Sequence, residues 1–102
     1  VKGELLLAGP KGRTRIPPGT LAQIVIQATE QVEGAQLRGR PRRSVEIELE
    51  GSTATVSIGI VAPFGAVLPR LARDVQRHVR EALSEMCGLE VERIDVTVEA
   101  LS

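Results

Sequence analysis

Two side chains in this 102-residue chain have the chemistry of a thiol nucleophile and its base, Cys87 and His78. Such a pair works only when the two groups lie within hydrogen-bond reach. They stand nine positions apart in what the spacing predicts to be one helix, which separates them by about 13 Å along its axis. A cysteine at the C-terminal end of a helix also gains no thiolate stabilisation from the helix dipole. Cys87 therefore reads as a small apolar group at the core edge. His78 reads as a boundary residue, four positions after Asp74 and placed for a local ion pair. No second histidine or paired cysteine completes a metal set.

A second set is the carboxylate row Glu46, Glu48 and Glu50. Three acids on one face of a strand have the donor chemistry for a hard cation, but the same spacing is the solvated face of a sheet, and that reading is favoured. Arg13 and Arg15 are expected to offset the row if the first strand lies beside it. GPKGRTR is the nearest approach to a phosphate loop and lacks the glycine fingerprint. No catalytic residue, metal ligand or cofactor is assigned, and the chain is not read as an enzyme.

The third set is RGRPRR at positions 38–43, where Arg38, Arg40, Arg42 and Arg43 crowd one short stretch. They are the candidate contacts to an anion or a nucleic acid: each Arg set on a phosphate steepens salt dependence, and a narrow minor groove attracts inserted arginine. RGRP has the look of an AT-hook core. Against this, 13 basic residues balance 13 acidic ones, whereas nucleic-acid binders carry a basic excess. The single aromatic, Phe64, removes the base-stacking route of single-strand binders. The reading favours an extended, solvated, mobile loop, with an anionic protein or lipid partner and nucleic acid as alternatives.

The elements that must position these groups follow from periodicity. Leu21, Ile24, Val25, Ala28 and Val32 keep the i, i+3, i+4 spacing of a helix buried on one side, expected over 18–33 with prolines at its entry and Gly34 just past its end. VEIELE and TATVSIGIVA alternate with period two around a Gly51-Ser52 turn and read as a hairpin. In LPRLARDVQRHVREALSEMCG, an apolar arc of Leu68, Leu71, Val75, Val79, Ala82, Leu83 and Met86 lies opposite a stripe of Arg70, Arg73, Arg77 and Arg80. Gly88 is the expected stop. VERIDVTVEA alternates again as a last strand. The order is β-α-β-β-α-β: a single α+β domain over 1–102, with an antiparallel sheet, two helices on one face and an open acidic face. Residues 1–11 are expected to form an extended or flexible N-terminal segment.

Apolar residues make up 42% and charged residues 25% of the chain, the balance of a globular domain. One cysteine excludes an internal disulfide. No stretch approaches the roughly 20 apolar residues of a membrane span, and the run at 5–8 is too short for a signal peptide. A cytoplasmic location without direct membrane insertion is expected.

Three segments together resemble a known family, the bacterial alkaline-shock or general envelope-stress proteins. GRTRIPPGTLAQIVIQATEQVEGA is similar to the family's opening strand and helix. TVSIGIVAPFGAVLPRLARDVQRHVREALSEMCGLEV is similar to its strand, glycine corner and long amphipathic helix, and VERIDVTVEAL to its closing strand. The likeness spans about residues 12–101. It implies a small non-catalytic protein associated with cell-envelope homeostasis, some of whose relatives are held near the membrane by a partner protein and self-associate. The chain departs from the family in its Arg-rich loop and its APFGAV corner. On this basis it is expected to be an adaptor or scaffold acting through protein contacts, and a homo-oligomer. The candidate partner-binding residues are Phe64, Arg70, Arg73, Arg77 and Arg80, and the alternative is a nucleic-acid-binding module using 38–43.

Overall fold

The computed structural model describes residues 5–101. The chain opens with a hairpin, β1 (Leu5–Gly9) and β2 (Gly12–Ile16), paired from Leu5–Ile16 to Gly9–Gly12. The part of the N-terminal expectation that falls on residues 1–4 lies outside the described residues. Leu5 is buried in the core, and Leu7 and Ile16 pack against it, so the hairpin is fastened by one apolar face.

Helix α1 spans Pro18–Glu30, three residues shorter at its end than the apolar period suggests. After Glu30 the chain tightens: the Val32 N–H donates to the Thr29 carbonyl, and the Ala35 N–H to that of Val32. Gly34 takes a positive φ of 88° in this turn. Val32 stays buried, which is why it read as part of the helix. Thr29, fully buried inside α1, returns its hydroxyl to the Val25 carbonyl at 2.9 Å.

Next come β3 (Gln36–Leu37), one 3₁₀ turn (Pro41–Arg43), β4 (Val45–Glu50) and β5 (Thr53–Pro63). Helix α2 runs Leu68–Cys87 and β6 runs Glu90–Leu101. Strand β5 is central: β4 and β3 lie along one edge, antiparallel to it, and β6 lies along the other. The expectation of an antiparallel sheet is corrected here, because β6 is parallel to β5 from Thr53–Glu90 to Pro63–Leu101. Helix α2 carries the chain back to the end where β5 began, so the next strand must run in the same direction. A one-residue shift falls between Ala54 and Thr55, where Glu92 is the extra residue on β6.

The core lies between the inner sheet face and the helices. Val45, Ile47, Val56, Ile58 and Ile60 come from the sheet, Leu21, Val25 and Ala28 from α1, and Leu71, Val75, Val79, Leu83 and Cys87 from α2. The four-residue steps of the α2 line turn the buried stripe toward Cys87. Met86 leaves the expected apolar arc and is 66% exposed. Gly88 ends α2 with φ 66° and its N–H donates to the Ser84 carbonyl at 3.0 Å, the 5→1 closure of a left-handed cap, while the Leu89 N–H reaches back to the Leu83 carbonyl. No helix among the described residues is long and apolar enough to cross a membrane.

Candidate functional site

The Arg-rich stretch is built on Gly59. The Arg38 N–H donates to the Gly59 carbonyl at 3.0 Å, and the Gly59 N–H donates to the Ser44 carbonyl at 2.8 Å. Strands β3 and β4 are thus two parts of one edge, and residues 38–44 are an excursion whose two ends meet on a single residue of β5. Ser44 is buried, and its hydroxyl donates to the Arg38 carbonyl, with the Arg40 carbonyl 3.2 Å away. The Pro41–Arg43 turn closes with the Ser44 N–H on the Pro41 carbonyl. The expected extended loop is therefore a compact turn pinned from inside.

Its arginines diverge. The Arg38 side chain crosses the outer face of the sheet over Gly59 and pairs with Glu99 of β6, Nη1 to Oε1 at 2.9 Å. Arg42 turns toward α1, with Nη1 3.3 Å from where a Cβ on Gly19 would sit. Arg38, Arg42 and Arg43 border a groove of 470 Å³ floored by Ser57 and Gly59 and faced by Glu46 and Asp95. Arg40 is exposed and does not line that groove. The groove is of mixed charge, so it suits a zwitterionic or polar contact better than a polyanion.

On the same face, Glu46, Glu48 and Glu50 are exposed. Arg13 and Arg15 do not join them as expected, because β2 pairs with β1 in a separate two-stranded sheet. Among the described residues, no three acidic, histidine or cysteine side chains are grouped to hold a metal.

The corner between β5 and α2 is a tight turn in which Ala66 N–H donates to the Pro63 carbonyl at 3.1 Å. Gly65 supplies φ 99° at its third position, as a type II turn requires. This leaves Phe64 at the second position, 82% exposed, with Val67 63% exposed beside it. Arg70, Arg73, Arg77 and Arg80 are all exposed along α2, and Arg77 pairs with Asp74 at 3.5 Å. The expected His78–Asp74 ion pair does not form: His78 Nδ1 instead meets the Asp74 backbone carbonyl at 2.9 Å. Burial pushes the Cys87 thiol above its ordinary pKa, the opposite of what a nucleophile needs.

Gly59, Ser44 and Glu99 were not among the candidates read from the sequence. The available signal was a glycine inside an alternating strand, at a position facing the polar side, which marks close approach of another group.

The sequence profile of the alkaline-shock protein 23 family, described by a cell envelope-related function, matches residues 8–102. The chain belongs to this family. Its similarity to the uncharacterised YqhY protein of Bacillus subtilis (strain 168) is 25% identity over 101 residues, covering 85% of this chain and 75% of YqhY. Solved structures of the MamM CTD share the fold. A zinc form of one variant has a TM-score of 0.57 at 15% identity, covering 82% of this chain and 86% of that one. A copper form of another variant has the same score and identity, covering 82% and 98%. At this identity the likeness concerns the fold, and the metals belong to those chains.

Proposed function

We propose that the chain is a non-enzymatic adaptor in cell-envelope homeostasis, working through protein–protein contacts and self-association. It is cytoplasmic in this reading and recruited to the membrane by a partner. The observation that supports it most is the Pro63–Ala66 corner, where Phe64 is 82% exposed on a hydrogen-bonded turn at the head of the Arg-lined helix. A large exposed aromatic, with two side-chain torsions to fix, is the kind of residue that anchors an interface. The stripe of Arg70, Arg73, Arg77 and Arg80 beside it supplies a cationic rim for an acidic partner segment.

The test is a photo-crosslinking amino acid placed at Phe64 in cells, with one at Glu48 on the sheet face as control. A single envelope protein captured from position 64 and not from 48, and release of the Phe64→Ser chain from the membrane fraction, is the expected result. Equal labelling from both positions with no change in fractionation overturns the reading. The nucleic-acid alternative draws on the four exposed arginines of 38–43. It is weakened by the Arg38–Glu99 pair and by the acidic lining of the same groove.

A further inference from the structure

Strand β6 is 12 residues long and, among the described residues, pairs with β5 alone. Its inner-face residues Val91, Val96 and Val98 are only half-buried, although their neighbours on β5 are fully buried. The strand has no proline, lysine or glycine to blunt it. The Gln76 side chain reaches the Ile94 carbonyl from α2 at 3.0 Å, marking that carbonyl as one facing the open edge. By the alternation of a parallel ladder, the N–H and C=O groups of Val96 and Val98 face that edge too.

We infer that two copies of this chain pair antiparallel through β6, about a two-fold axis at Val96. The register is selected by charge. About Val96, Arg93 stands opposite Glu99 of the second copy, Ile94 opposite Val98, and Asp95 opposite Thr97, with every pair on one face of the sheet. An axis at Asp95 sets that acid against itself, and an axis at Thr97 sets Asp95 against Glu99. An axis at Ile94 puts Glu92 opposite Val96 and Glu90 opposite Val98. Two other strand edges select against self-pairing: β4 about Glu48 opposes Glu46 to Glu50, and β2 about Thr14 opposes Arg13 to Arg15.

The pairs already present inside the chain extend across this junction. Arg38 holds Glu99 through Oε1, and Arg93 holds Asp95 at 3.0–3.1 Å. Joining the copies produces, on each side of the axis, a row of alternating charge: Arg38, Glu99, then Arg93 and Asp95 of the other copy. The half-buried valines of the two strands meet beneath it, and the three-strand width of the sheet doubles. This deepens the self-association within the proposed function but is independent of any contact at Phe64.

The experiment is sedimentation equilibrium on the wild-type chain and on two charge variants, Arg93→Glu and Glu99→Arg, alone and mixed. Wild type is expected to be a dimer. Each variant alone turns both cross-axis pairs into like charges and weakens association about tenfold or more. The equimolar mixture restores opposite charges at both positions and recovers a heterodimer, which a merely misfolded variant cannot do. A wild-type monomer at 100 µM (about a hundredfold above a micromolar dissociation constant), or variants that dimerise as tightly as wild type, overturns the inference. Either result leaves the Phe64 crosslinking test standing.

Discussion

The Arg38 guanidinium lies across Gly59, with Nη2 3.1 Å from where a Cβ on that glycine would sit, and continues to Glu99 on the opposite strand. A glycine on the central strand is what lets a residue from one sheet edge reach the other. The pair is about half exposed, at 46% and 56%, so its coupling is expected to be modest, roughly 0.2–1 kcal/mol. A double-mutant cycle of Arg38→Ala and Glu99→Ala, read by urea unfolding, should return a value in that range. In a Gly59→Val background the coupling should disappear, because the branched side chain occupies the path of the guanidinium. Unchanged coupling there would mean that Arg38 reaches Glu99 by another route.

Ser44 fastens the Arg-rich excursion from inside. Ser44→Ala removes the hydroxyl that bonds the Arg38 carbonyl and leaves that acceptor without its buried donor. The expected loss is about 1–2 kcal/mol. Amide hydrogen exchange should quicken across 39–43 more than in β4. Uniform quickening throughout the chain would show that the hydroxyl supports the whole sheet rather than the excursion.

Cys87 is buried, and burial raises its pKa above the ordinary 9.0. Its proton is therefore held more tightly in the folded chain than in the unfolded one. The associated stability is complete below pH 9.0 and declines as the pH rises toward the folded-state value. Reaction with a thiol reagent at pH 8 should be slow and should accelerate on adding denaturant. Rapid native-state labelling would contradict the burial of this side chain.

Gly88 closes α2 in the left-handed region, with φ 66°. Nothing lies within 4 Å of a Cβ added there, so the penalty for Gly88→Ala is conformational alone. About 1–2 kcal/mol is expected, seen as a lower urea midpoint with an unchanged slope. Gly88→Asn should lose less, since asparagine tolerates this region better.

Much of the fold was legible because strong periodicity and caps coincide. The α2 arc, the Gly88 stop and the hairpin at Gly51 each rested on two agreeing signals. The parallel placement of β6 was missed, although it follows from a 20-residue helix between two strands. Alternation of polar and apolar residues says which face is wet, not which way a strand runs. Strand β3 has two residues, too few to show any period. Met86 left the apolar arc while Cys87 stayed buried, because adjacent helical positions differ by about 100° and the direction of burial at a helix end is set by its neighbours. The exposed Phe64 and the Arg stripe were readable as surface features. The pinning of 38–44 was not, since it depends on one serine and one glycine brought together by sheet register.

That arrangement separates the chemistry of the loop from the integrity of the scaffold. Both ends of the excursion are stitched to the backbone of one β5 residue, so the main-chain anchor lies outside 39–43, where Gly39 with its φ of 61° is the one position held to glycine. The segment is a natural grafting position: foreign recognition sequences inserted between Arg38 and Ser44 would inherit a closed, preset anchor. Surface specificity at this place can be rewritten without renegotiating the core.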